Sequence, residues 1–147
     1  MVAATAKTAF REAVRRSIPD GMGSVSAWAE ANRFVDRGSR KGKWSNKTVP
    51  FAVEIMDAFT APEIREVVFQ KPSQVAGSEI LANVVGYYID VEPTEIAYVA
   101  EKEDKAKAWT VESFDPMVGK TASLARVVGT TAEDNNQKYK RFSGGQL

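Results

Sequence analysis

The stretch from Ile64 to Ala100 constrains the fold more than any other part of the chain. It reads I-R-E-V-V-F-Q, K-P-S-Q-V-A-G-S, E-I-L-A-N-V-V-G-Y-Y-I-D, V-E-P-T, then E-I-A-Y-V-A. The first run is short, apolar and β-branched, which predicts a buried strand, and the last run has the same character. Between them Ile80, Leu81, Val84, Val85, Tyr88 and Ile89 recur at helical spacing, and Pro93 and Thr94 punctuate the exit. Strand, loop, helix, strand is a βαβ unit, so the expectation is a parallel pair with a right-handed crossover. The fold class expected is α/β, a parallel sheet flanked by helices.

The loop inside that unit carries the chemistry. A nucleotide-binding P-loop reads G-x-x-x-x-G-K-[ST] between a strand and a helix. Residues 71–78 have its length, its context and its terminal hydroxyl, Ser78. Lys71 stands at the first Gly, Ala76 at the second, and Gly77 at the Lys. The chemistry survives if the lysine has moved to the head of the loop. Lys71 would reach back over a bound triphosphate, and Ser78 would hold Mg²⁺. Backbone N–H groups of Gln74, Val75, Ala76, Gly77 and Ser78, with the helix N-terminus, would form the anion site. A strand–helix turn carrying one lysine by chance explains the same residues without any ligand.

The wider run P-F-A-V-E-I-M-D-A-F-T-A-P-E-I-R-E-V-V-F-Q-K-P-S-Q-V-A-G-S-E-I-L, Pro50 to Leu81, resembles the large terminase subunit of tailed bacteriophages, the lambda-like type. That family has a P-[FY]…I-M-[ND]-A segment, an I-R-E-V strand and a K-S-A-x-V-G-x-[ST] loop with its lysine at the head. Ile64, Arg65, Glu66, Val67, Lys71, Val75 and Ser78 fall on those positions. The likeness continues through G-Y-Y-I-D (Gly86 to Asp90), Asp115 to Leu124 and Y-K-R-F-S-G-G (Tyr139 to Gly145), and starts near Ser24. The departures are Pro72 for a small residue and Ala76 for the usual Gly, which puts a Cβ where phosphate approaches closest.

The resemblance implies ATP with Mg²⁺ as cofactors and a role in packaging viral DNA. It implies that Trp44 and Phe51 match the aromatic positions that hold adenine, although Ala52 stands where the family often has Gln. It implies a virus-encoded protein of the host cytoplasm, with the terminase small subunit, DNA and the portal as partners. The domain reading follows from it: a P-loop NTPase-like domain over 24–147, truncated, with an N-terminal helical extension over 1–23 as a partner-docking arm.

Composition narrows the chemistry. The chain has 147 residues, enough for one domain, with 44% hydrophobic and 27% charged residues. It has no Cys and no His, which removes disulfides, thiolate and imidazole metal sites and His-based triads. Any metal would be a hard cation on oxygen ligands. No apolar run approaches membrane-spanning length and the N-terminus lacks a signal-peptide core, which predicts an intracellular protein with no membrane partner. Residues 1–50 hold 10 Lys/Arg against 4 Asp/Glu while the rest is net acidic, so a basic N-terminal region faces phosphate, an acidic partner or only solvent.

Other elements follow from local signals. Residues 3–17 predict an amphipathic helix on Phe10, Val14 and Ile18, with Arg11, Arg15 and Arg16 beside it. The resemblance suggests it docks the small subunit; packing on its own domain is the alternative. A second helix is expected from Ser26 to Val35, capped by Ser24 or Ser26, followed by a basic loop from Gly38 to Lys47. Further helices are expected from Val53 to before Pro62, from Glu103 to Phe114 with Asp104 as cap and Pro116 as stop, and from Thr121 to Val127. Thr130 to Gln137 is a polar loop, and Gln137 to Phe142 a strand turning at Ser143 to Gly145.

Two motifs that the family requires are not visible: the acidic Walker B pair and the nuclease carboxylates. Glu101, Glu103 and Asp104 follow a strand but match another motif. Two functions therefore compete. One is an ATP-binding part of a packaging motor. The other is a non-enzymatic, shortened terminase relative that binds terminase subunits, portal or DNA. An open sheet edge would favour self-association or a completing chain. A third reading, an unrelated basic DNA-binding module, rests on residues 1–50 alone.

Overall fold

The computed structural model describes residues 23–38, 41–131 and 139–147, together with Ala9 and Ala13. The helix expected over 3–17, apart from Ala9 and Ala13, and most of the loop over 130–137 lie outside the described residues. The described elements are α1 (Val25–Asn32), β1 (Phe34–Val35), β2 (Gly42–Lys43), α2 (Phe51–Ala58), α3 (Gly77–Asp90) and α4 (Glu103–Trp109). A π-helical turn (Thr110–Phe114), α5 (Asp115–Lys120), α6 (Leu124–Val127), β3 (Arg141–Phe142) and β4 (Gly145–Gln146) follow.

Helix α3 is the centre. It buries Ile80, Ala82, Asn83, Val84, Val85, Gly86, Tyr87 and Ile89, so apolar surface wraps most of its circumference, as for a helix inside a core. Helix α1 starts at Ser24, whose hydroxyl accepts from the Ala27 N–H at 3.4 Å. Its Trp28 is fully buried and rests on Gly86, where any Cβ would meet the indole. The same indole donates from Nε1 to Asp90 Oδ2 at 2.7 Å, so one residue both packs against α3 and is fixed to its end.

Helix α2 packs on the neighbouring face. Asn83 Nδ2 donates to Met56 Sδ at 3.4 Å, and Tyr88 Oη donates to the Phe59 carbonyl at 2.6 Å. Asp57 joins α2 to α1 by accepting from the Ser26 N–H at 2.9 Å and the Ser26 hydroxyl at 2.8 Å. Leu124 of α6, Phe114 and Met117 close the far side of the core.

The expected parallel sheet is absent among the described residues. The ladders present are antiparallel and two residues long: Phe34 opposite Lys43 with Val35 opposite Gly42, and Arg141 opposite Gln146 with Phe142 opposite Gly145. Residues 64–70 join no ladder, and Val68 is 82% exposed. Residues 95–100 alternate between exposed and half-buried, as an edge strand does, yet make one backbone bond to β4, from the Ile96 N–H to the Gln146 carbonyl at 2.8 Å. A parallel pair needs ladder partners and cover on both faces. Here the two runs share no ladder, so their apolar residues gain nothing from pairing. The described chain is a mixed fold of helices and small strands.

Three boundaries also differ from expectation. The segment read as a basic loop contains β2, which pairs back onto residues expected at the end of the second helix. Asp104 does not cap α4; Lys102 holds that position without a side-chain cap, and Asp104 lies in the first turn. Pro116 does not end the helical run. It sits in the first turn of α5, where a missing N–H is tolerated.

Candidate functional site

A cleft of about 780 Å³ opens between the β1–β2 segment, the start of α2 and the loop before α3. That volume is within the usual range for a small-molecule site. One wall is basic, with Arg37, Lys41 and Lys43; another is aromatic, with Trp44 and Phe51. The third is Gln74, Val75 and Ala76, with Glu79 behind them. Five residues singled out in the sequence therefore meet in one place, although more than 20 positions separate the aromatic pair from the loop.

The two aromatics differ in what they offer. Phe51, at the first turn of α2, is 51% exposed and lines the cleft. Trp44 is only 6% exposed. Its backbone N–H donates to the Arg33 carbonyl at 2.9 Å and its indole N–H to Asn46 Oδ1 at 2.8 Å. Glu30 holds the next turn by accepting from the Asn46 N–H at 2.5 Å. Trp44 is thus a fixed wall, and Phe51 the available stacking surface.

The loop has an unusual backbone. Gln74 and Ala76 have φ of 63° and 56°, both left-handed. An anion nest is built where left-handed residues alternate with right-handed ones, and this loop supplies two left-handed positions within three residues. Ala76 holds that conformation despite its Cβ, at a cost of about 1 kcal/mol. It is also the residue before α3, and no side chain caps the helix there, so the first-turn N–H groups lack a capping partner.

Lys71, Gly77 and Ser78 do not line the cleft. Lys71 lies over the start of α3. A Cβ on Gly77 would fall 3.1 Å from Lys71 Nζ and would overlap Cδ and Cε. Its ammonium donates to the Pro72 carbonyl at 3.4 Å in an exposed setting. The exchange of Lys for Gly at position 77 thereby has a physical partner, since a lysine at the head of the loop occupies the space a side chain at 77 would need. Ser78 is exposed in the first helical turn. It offers one oxygen ligand, and no group of three acidic residues that could hold a metal exists among the described residues. A divalent cation here would have to arrive with phosphate oxygens.

Local sequence patterns did not reveal the charged network behind the loop. Glu79 Oε2 is 2.7 Å from Arg33 Nη2, and Glu79 Oε1 is 2.9 Å from Arg37 Nε. Arg33 is 4% exposed; burial draws its guanidinium below the ordinary arginine value, and Glu79 pulls it back. Arg33 also donates to the Phe34 carbonyl. The guanidiniums lie 46 and 42 positions from Glu79. The basic excess of residues 1–50 was the one signal that pointed toward them.

Residues 38–147 match the family described as phage terminase large subunit gpA, ATPase domain. The terminase large subunit of Escherichia phage lambda is 28% identical over 124 residues, covering 81% of this chain and 19% of that protein. The chain therefore spans about a fifth of the length of the curated relative it matches. No solved structure matches it significantly.

Proposed function

The chain belongs to the ATPase-domain family of the phage terminase large subunit, and on that premise we propose that it binds ATP in the cleft as part of a DNA-packaging terminase. Phe51 stacks on the base and Trp44 backs it. Lys71 reaches the phosphates, the N–H groups of residues 74–78 receive them, and Ser78 contributes a hydroxyl to the accompanying Mg²⁺. ATP supplies the phosphoryl chemistry when bound; the residues named here bind and orient it. The observation that carries this reading is the convergence of the aromatic wall, the basic wall and the left-handed loop on one cleft. DNA, the small subunit and the portal are the partners this reading implies.

Calorimetric titration of Mg·ATP into the purified chain tests it. We expect binding that falls at least 30-fold in Lys71→Ala, about 2 kcal/mol for a lost charged hydrogen bond. Equal binding by the variant would remove Lys71 from the site.

A second reading has its own support. Ile64, Val68, Phe69 and Val99 stay exposed on two runs of strand-like composition that form no mutual ladder. Such runs suit an interaction module that pairs with a completing chain, a terminase subunit or a second copy. ATP turnover by the isolated chain would count against a purely non-enzymatic role.

A further inference from the structure

The carboxylate of Glu79 serves two guanidiniums that are not equivalent. Arg33 is buried, holds Glu79 at 2.7 Å and also donates to the Phe34 carbonyl, so it has no route away. Arg37 is 35% exposed, lines the cleft and holds Glu79 at 2.9 Å. Its Nη1 donates to the Glu112 carbonyl at 2.8 Å. Pro116, four residues further on, has no N–H to give that carbonyl.

Glu79 lies in the first turn of α3, beside the uncapped helix start and the left-handed loop. An anion on that loop meets the Glu79 charge at short range, and an arginine is the group that can answer both, because its planar fork binds phosphate as well as it binds carboxylate. Two arginines share the Glu79 carboxylate, and Asp36 also acts on the buried Arg33. Of the two arginines, Arg37 is the one that lines the cleft.

We infer that Arg37 is the polyphosphate-reading cation of this cleft, latched to Glu79 when the cleft is empty and transferred to the ligand's phosphates on binding. The inference rests on the nucleotide reading of the same site. Its consequence is mechanical. When Arg37 leaves, its bond to the Glu112 carbonyl breaks, and the π-helical turn loses its tie to the β1–β2 segment. The ligand's differential affinity for the two placements of Arg37 drives the exchange.

The test uses calorimetry of the full chain with sodium tripolyphosphate and with Mg·ATP, on wild type, Arg37→Ala, Arg37→Lys and Glu79→Gln. Arg37→Ala is expected to lose at least tenfold in affinity for both ligands, with Arg37→Lys recovering part of it. Glu79→Gln, which frees Arg37, is expected to bind tripolyphosphate severalfold more tightly. Opposite signs identify a latch, since a purely structural ion pair weakens binding in both variants or in neither. Thermal unfolding is followed beside each titration. If Glu79→Gln does not fold, the two Arg37 variants decide alone. Wild-type binding retained in full by Arg37→Ala would overturn the inference and leave the nucleotide reading standing. Failure of wild type to bind either ligand would overturn both.

Discussion

At Ala76 a side chain and its backbone disagree. Left-handed φ is disfavoured by any Cβ, yet the loop places Ala76 there, next to Gly77, whose bare Cα is covered by Lys71. Ala76→Gly should therefore raise stability by about 0.5–1 kcal/mol, less what the freer glycine adds to unfolded-state entropy; a lower midpoint in urea would show that the conformation is unstrained. Gly77→Ala separates folding from binding. Alanine is the better helix former, so the melting temperature should hold or rise. Displacing the Lys71 stem should cut Mg·ATP affinity, and unchanged affinity would mean that Lys71 does not work from that position. Glu79→Ala strands the buried Arg33 charge and should destabilise by about 3 kcal/mol, measured by chemical denaturation.

Among the elements, α3 was the most legible because two signals agreed: an apolar period broad enough for a buried helix, and a turn on each side. Ser24, one of the two serines expected to cap α1, and Gly144 in the β3–β4 turn, at φ of 92°, were legible because each sits where local chemistry suits it. Residues 64–70 were misread because β propensity describes fit to a half-buried sheet, and without neighbours the same residues remain exposed. The β1–β2 pair was missed because its ladder is two residues long and leaves no alternation to detect. Gln74, Val75 and Ala76 were singled out by the length and context of the loop, and Trp44 and Phe51 through resemblance. Arg33, Arg37 and Glu79 were not found, because contacts spanning 42 to 46 positions leave no local trace. One packing contact tests the account of α3 directly. Gly86→Ala, which pushes a methyl into Trp28, should cost about 1–3 kcal/mol, and a neutral result in urea unfolding would show that α1 can shift.

For the molecule as a whole, helices α1 and α2 pack on α3, while Val68 and Val99 face outward from the runs over 64–70 and 95–100, the latter turning Ile96 and Tyr98 toward the core. These outward residues contribute little to the stability of the chain itself. Val68→Asp with Val99→Asp should unfold within about 0.5 kcal/mol of wild type while weakening any association between chains, read by sedimentation velocity. Strong destabilisation would place those residues in a core. No helix among the described residues is long and apolar enough to cross a membrane. The proposed ligand site is the cleft built from the β1–β2 segment, the start of α2 and the left-handed loop. Amide chemical-shift mapping of the labelled chain during titration with Mg·ATP locates the bound nucleotide. Binding there should shift residues 35–51 and 71–79, with a smaller response at Glu112 through Arg37. Shifts centred on residues 96–110 instead, or none at saturating nucleotide, would contradict it.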